Sequence, residues 1–454
     1  MKLRHHACAF LLAAAFAGAH AQGAAPVTPA APASLLAQAL ALSDGVQPQV
    51  VEWRRHIHQN PELAYQETGT AKYIAQALAG MPGVEIRTGI AGTGIKAVLR
   101  GALPGPVVAL RADMDALPVE ERNDLPFRST AKGDWLGKQV PVSHVCGHDT
   151  HVAMLLGAAR VLSSLRGQLA GTVVFIFQPA EEIGPGLGKS SGAMAMVREG
   201  VLDNPKVDVV LGQHISNQAP AGAIRYRPGP MLASIDVFNI KFKGVGGHGA
   251  APWASNTPML AAAETVLGLQ NIVSHRLNPT IDGGPTIVTT GMLQSGNRFN
   301  VLPETAEISG TIRALSATNQ KIAQEEIRRR ATGIAASYGV QADVKIDSGD
   351  GYEVLVNDPQ ATLSLVGAFG AAAGGASKVS QMPASMGSED FGAFGSTGVP
   401  VVFWMLNASP MGDKDGPVNH SPLFQVDESA MRVGVRALAA ATLSQLASAK
   451  SAGR

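Results

Sequence analysis

The stretch GTVVFIFQPAEE (171–182) decides how this chain is built. Val173 to Phe177 form an apolar run with no polar interruption, the pattern of a strand buried on both faces. The run ends at Gln178-Pro179-Ala180, and two carboxylates, Glu181 and Glu182, follow at once. Other segments repeat the plan. Residues 107–111 read as a buried strand running into Arg111-Ala112-Asp113-Met114-Asp115. Residues 207–212 run into Gln213-His214, and 400–405 precede a loop carrying His420. Cys146-Gly147-His148-Asp149 leads into a helix expected over 150–165, with Asp149 or Thr150 as its cap. In open α/β sheets, sites form beyond the carboxyl ends of the strands. Segments far apart in sequence therefore aim polar groups at one edge.

Working outward, 34–42 and 47–58 read as helices, and the alternation with buried strands indicates a mostly parallel sheet covered by helices. The pattern changes at about 233. Residues 234–243 alternate apolar and polar. A helix over 257–277, strands over 286–293 and 306–313, a charged helix over 318–338 and a strand over 341–346 follow. That β-α-β-β-α-β order is ferredoxin-like. The α/β pattern resumes after about 348, with a helix over 360–370 and the strand 400–405. The expected fold is α/β: a discontinuous catalytic domain (34–232 and 346–450) with an inserted ferredoxin-like α+β domain (233–345).

The full chain has 454 residues, 46% hydrophobic and 16% charged, with a net charge of +1. That excludes disorder, and there is no basic excess of the kind that binds nucleic acid. Residues 1–21 read as a secretory signal peptide. Lys2 and Arg4 precede an apolar core over 7–17, and Ala19-His20-Ala21 offers a cleavage site. An Ala/Pro-rich linker (22–33) follows. A periplasmic or secreted protein, free of the membrane after cleavage, is expected. Of two cysteines, Cys8 would leave with the signal. Cys146 stays as a lone thiol: an intermolecular bridge, a nucleophile, a metal ligand or inert core.

Thiolate, imidazole and carboxylate together form a ligand set for zinc or a neighbouring divalent ion. Of two consecutive carboxylates at a strand end, one can bind metal while the other acts as general base. Taken singly, His56, His58 and His151 read as structural, and Glu389-Asp390 reads equally as pocket lining or helix cap.

The sequence resembles the amidohydrolases of the aminoacylase/carboxypeptidase di-metal peptidase superfamily, within it the hippurate hydrolases and the plant indoleacetyl-amino acid hydrolases. The matching stretches are RRHIHQNPELAYQE (54–67), ALRADMDALPVEE (109–121), HVCGHDTHVAMLLGAA (144–159), FIFQPAEE (175–182), GQHI (212–215), GGHGAAP (246–252), NRFNVLPETAEISGTIRA (297–314), GSEDF (387–391) and NHSP (419–422). The resemblance implies two divalent ions per subunit, zinc or manganese, with cobalt and nickel as further candidates. It implies Cys146, His148, Glu182, His214 and His420 as their ligands, with Cys146 replacing a bridging aspartate. Glu181 is implied as general base, and Asp115 as the residue that orients a ligand. His248, Asn300 and Arg313 are implied to bind the substrate carboxylate or the oxyanion. In relatives the histidine can come from the partner subunit of a dimer, so a homodimer through the inserted lid domain is expected. Asp113 stands where distant relatives have a histidine ligand, and Trp253 where many have histidine. The implied reaction is hydrolysis of the amide bond of small N-acyl amino acids. The runner-up is peptidase action on small peptides or aminobenzoyl-glutamate. Two other classes stay open on the residues alone: a hydrolase using Cys146 as nucleophile with His148, and a periplasmic binding protein without catalysis. The first lacks an orienting third group. The second has no need of Glu181 beside a ligand carboxylate.

Overall fold

The computed structural model describes residues 33–280, 284–412 and 414–448. The expected signal segment 1–21, the linker up to residue 32 and Asp413 lie outside those residues. Among the described residues, no helix is long and apolar enough to cross a membrane.

The eight strands of the main sheet are β1 (Val84–Ile90), β2 (Gly94–Arg100), β3 (Leu103–Asp113), β4 (Ala170–Gln178), β5 (Val209–Pro220), β6 (Ile224–Tyr226), β7 (Val379–Gln381) and β8 (Val401–Ser409). Their order is β1-β2-β4-β3-β5-β8-β6-β7. The central strands β4, β3, β5 and β8 run parallel. β1, β2 and β6 pair antiparallel with their inner neighbours. The apolar run in β4 explains its central place. Val173, Phe175 and Phe177 enter the core on one face, and Val174 and Ile176 enter the core on the other. Each such burial is worth roughly 1.5–3 kcal/mol relative to exposure. Helices α1 (Gln47–Gln59) and α2 (His148–Ser164), with the helix Ser429–Ser448, cover the first face. The short helices Gly192–Arg198 and Gly392–Gly395 cover the second.

A second sheet of four strands lies between β6 and β7 in the chain. Its order is Thr286–Ser295, Thr305–Ala314, Ser234–Lys243, Gln341–Asp347, and every neighbouring pair is antiparallel. The alternation in SIDVFNIKFK buries Phe238, Ile240 and Phe242 in a separate core beneath helices Pro258–His275 and Ala317–Ser337.

Two local expectations change. α2 begins at His148, not at 150, and neither Asp149 nor Thr150 caps it. Its N-cap is Gly147, at φ 92°, with no side-chain cap. Asp149 is drawn away by charge: its Oδ2 accepts from Arg54 Nε at 2.7 Å and lies 2.8 Å from His58 Nδ1. The expected helix 360–370 is two helices, Pro359–Ser364 and Val366–Ala373, with Leu365 between them.

Candidate active site

The turn after β4, the carboxyl end of β5, the turn into α2 and the loop after β8 converge on one cavity of about 430 Å³, and Asp115, just past β3, bonds to His148 and Glu182. β4 ends in a left-handed turn at Ala180, φ 51°. The Ala180 N–H donates to Glu67 Oε1 at 2.9 Å, and the Glu182 N–H donates to Asp115 Oδ2 at 2.9 Å. The Tyr352 hydroxyl donates to the Glu181 carbonyl. Three distant side chains thus hold the turn that presents Glu181 and Glu182.

Two groups of donor atoms share Cys146. Cys146, His148 and His214 form one, and Cys146, Glu182 and His420 the other, with the donor atoms of each group within 4.8 Å of one another. His214 Nδ1 lies 2.7 Å from the Ile215 carbonyl, which makes it the donor and leaves Nε2, 3.5 Å from Cys146 Sγ, with a free lone pair. His148 Nδ1 lies 2.9 Å from the Asp115 carbonyl, so Nε2 is the free atom. That carbonyl does for His148 what a hydrogen-bonded partner does for a metal-bound imidazole: it fixes tautomer and ring angle. His420 sits at φ 70°, and its N–H donates to the Val145 carbonyl at 2.8 Å. Its Nε2 lies 3.0 Å from Glu182 Oε1. Asn419 Nδ2 donates to the Cys146 carbonyl at 2.8 Å and to the Ile215 carbonyl at 3.3 Å, tying the loop to both neighbouring segments.

These residues fit a pair of divalent ions. His148 Nε2 is buried without a hydrogen-bond partner among the described residues, and buried polar atoms are rarely left so. The donors are sulfur, nitrogen and oxygen, the set that suits zinc and its neighbours. Burial and the nearby Glu182 push the Cys146 thiol up. Burial, then Glu389 and Glu182, hold the Glu181 carboxyl well above the usual range. A cation among them reverses that crowding.

Asp113 and His151 belong to a supporting layer. The Ile215 N–H donates to His151 Nε2 at 2.8 Å, so His151 must carry its proton on Nδ1, 2.6 Å from Asp113 Oδ1. Asp113 Oδ2 accepts from Arg111 at 2.8 Å. Both His151 nitrogens and both Asp113 oxygens are thereby engaged. Arg111, fully buried, also reaches Glu389, Asp390 and Gln178. Glu389 and Asp390 lie beside Glu181. Burial pushes Glu389 up to about 8 although Arg111 opposes it.

Arg313 lines the cavity and donates to the Met386 carbonyl at 2.9 Å and to Ser388 Oγ at 3.1 Å. His248 and Asn300 are not among the cavity residues. His248 is exposed on a two-residue strand paired with Val301–Leu302, and Asn300 precedes that partner strand. Glu67, Tyr352, Arg111 and Asn419 take part without having been singled out from sequence. Glu67, Arg111 and Asn419 fall inside the quoted motifs; Tyr352 had no local signal.

A strand edge that gathers thiol, imidazole and carboxylate donors around a buried carboxyl defines a metal-dependent hydrolase. The model of the peptidase family M20/M25/M40 matches residues 109–444, and the chain belongs to that family. It is 37% identical over 395 residues to thermostable carboxypeptidase 2 of Saccharolobus solfataricus, covering 86% of this chain and 94% of that one. It is 36% identical over 386 residues to N-acetylcysteine deacetylase of Bacillus subtilis, covering 85% and 93%. A crystal structure of a dinuclear metal binding peptidase of the M20 family from Bacillus subtilis superposes with a TM-score of 0.72 at 32% identity, over 89% of this chain and 99% of that one. The chain is an enzyme that hydrolyses amide bonds with metal.

Proposed function

We propose that the enzyme cleaves N-acyl amino acids at the amide bond. The observation that carries this reading is the cavity itself. A buried carboxyl, Glu181, stands beside two donor groups that share Cys146, and Arg313 faces the same space with no acidic partner among the described residues. Cys146, His148 and His214 would hold one divalent ion, and Cys146, Glu182 and His420 a second. Zinc or manganese suits the donors. Such ions polarise the carbonyl and acidify water. Glu181, raised by burial, takes the proton of the attacking water and passes it to the leaving nitrogen. Asp115 keeps His148 and the Glu182 N–H in place. Arg313 offers a guanidinium fork to the free α-carboxylate. A free carboxylate is also what a carboxypeptidase or dipeptidase reads, so short peptides remain the second reading.

Residues 233–345 would act as an inserted lid and dimerisation domain. Leu260, Leu267, Leu293 and Phe299 are exposed on its outer helix, its edge strand and the ribbon beyond, and large apolar patches mark interaction sites. In a dimer, His248 and Asn300 would serve the partner's cavity. Export through the segment 1–21 is part of the same reading. The test is a metal assay of the purified protein with a panel of acetyl-, benzoyl- and indoleacetyl-amino acids and dipeptides. Hydrolysis of dipeptides alone would replace the first reading by the second. Turnover that survives chelation would defeat both.

A further inference from the structure

One cation in the cavity wall is left over by that account. Arg225 lies in the middle of β6, half-buried, and lines the cavity with Arg313. Among the described residues, no carboxylate, carbonyl or other group pairs with its guanidinium. Its neighbour Arg227 differs: that side chain donates to the Pro230 carbonyl at 2.7 Å and to the Met382 carbonyl at 3.3 Å, a structural task. The sheet register gives Arg225 its address. It is paired with Met405 of β8, and Met405 is paired with His214 of β5. Paired residues on adjacent strands point to the same face, and strands lie about 4.8 Å apart. The Arg225 backbone is therefore about 10 Å from that of His214, on the same side of the sheet. A long side chain from there ends one substrate substituent away from the donor groups. The same cavity is lined in part by the apolar Leu232, Ile235, Met382 and Met405.

We propose that Arg225 reads a second carboxylate, so that the preferred substrates are dianionic N-acyl amino acids. The inference rests on the hydrolase reading, with Arg313 on the α-carboxylate. A half-buried guanidinium with no partner among the described residues gains from a carboxylate, because two parallel charge-assisted bonds form at once. The second carboxylate comes either from an acidic amino acid or from a dicarboxylic acyl group.

Both sources are tested with matched pairs, using the metal-loaded full chain. N-acetyl-glutamate is compared with N-acetyl-glutamine, and N-succinyl-methionine with N-butyryl-methionine. In the unaltered enzyme one pair shows a kcat/KM ratio well above one, and that pair names the source. Arg225→Gln lowers the ratio by about tenfold or more, the loss expected for a charge-assisted hydrogen bond. Arg225→Lys retains part of it. Ratios at or below one in both pairs, or a ratio that Arg225→Gln leaves unmoved, overturn the proposal while the hydrolase reading stands. Failure to hydrolyse any of the four compounds overturns the N-acyl amino acid reading, and this inference with it.

Discussion

Gly147 sits between two proposed ligands, and replacing it with alanine tests whether the ligand segment is preorganised. Its φ of 92° lies in the left-handed region, which costs a residue bearing a Cβ about 1–2 kcal/mol. A Cβ there would also lie 2.3 Å from Ile215 Cγ2 and 3.4 Å from the Phe424 ring. Ile215 and Phe424 are both in the core, so neither has room to yield. Overpacking of that kind costs about 1–3 kcal/mol. The sum is about 2–5 kcal/mol, which the chain can relieve by moving 146–148 away from His214 and Ile215. Gly147→Ala should therefore both lower the unfolding midpoint by several degrees and weaken metal binding. The assays are thermal unfolding of the metal-free protein and zinc titration against a competing chelator. A variant with unchanged midpoint and unchanged zinc affinity would refute the argument, because the clash would then have no consequence where the structure says it must.

Glu181→Gln should keep its metal and lose turnover by roughly 10²- to 10⁴-fold, the usual share of a general base; near-normal turnover removes Glu181 from that role. Cys146 should resist alkylation in the metal-loaded protein and react after chelation, and equal labelling in both states counts against ligation. Arg111→Met leaves Asp113, Glu389 and Asp390 without their shared cation, so a destabilisation of about 3–5 kcal/mol is expected in denaturant unfolding; a smaller loss than 1 kcal/mol, on the order of a surface pair, would contradict the burial. His58 supplies the pH test. Burial opposes its charge, but Asp149 and Glu121 outweigh burial and raise its pKa above the ordinary value. A raised folded value means that stability is gained below the unfolded pKa of about 6.5 and lost as pH rises through the folded one. The stability difference between the unaltered protein and His58→Gln should thus be larger at pH 5.5 than at pH 9; the opposite order refutes the assignment.

Much of the site was legible because its donors lie at the ends of apolar runs. Glu181 and Glu182 follow β4, Asp113 ends β3 and Asp115 follows it, and His214 lies within β5. Strand ends are local features, and a buried parallel strand announces itself by composition. The cap of α2 was misjudged for a physical reason. Asp149 has the chemistry of an N-cap, yet Arg54 and His58, more than ninety positions away, compete for its carboxylate and win. Tyr352 holds the Glu181 turn from 171 positions away. Nothing near Tyr352 in the chain says so, since the contact exists only once both elements pack. His248 and Asn300 mark the opposite case. Their motifs were plain, but within a single chain the structure leaves them outside the cavity lining.

The charge balance favours two ions over one. Asp113, Asp115, Glu181, Glu389 and Asp390 are buried, and Glu182 is nearly so. All six carboxyls lie around the same strand ends with the Cys146 thiol. The guanidinium paired with Asp113, Glu389 and Asp390 is that of Arg111. The nearby imidazoles divide: burial holds His151 and His214 below their ordinary pKa, while Asp113 and Cys146 raise His148 against burial and the bonds to Cys146 and Glu182 raise His420 to about 11. As metal ligands His148 and His420 would give up that proton. Burying unpaired carboxylates costs several kcal/mol each, and burial first, then the neighbouring carboxyls, raises Glu181 and Glu389. A single dication in the Cys146–His148–His214 group leaves Glu182 facing His420 alone across 3.0 Å. A second dication there would be held by Cys146, Glu182 and His420. It also frees Glu181 from part of its like-charge neighbourhood and so brings that carboxyl toward the range where it can accept a proton from water near neutrality. Loading with a second equivalent of metal should therefore shift the acidic limb of the pH–rate profile to lower pH than the first equivalent alone. An acidic limb that stays in place between one and two equivalents would show that Glu181 does not feel the second site.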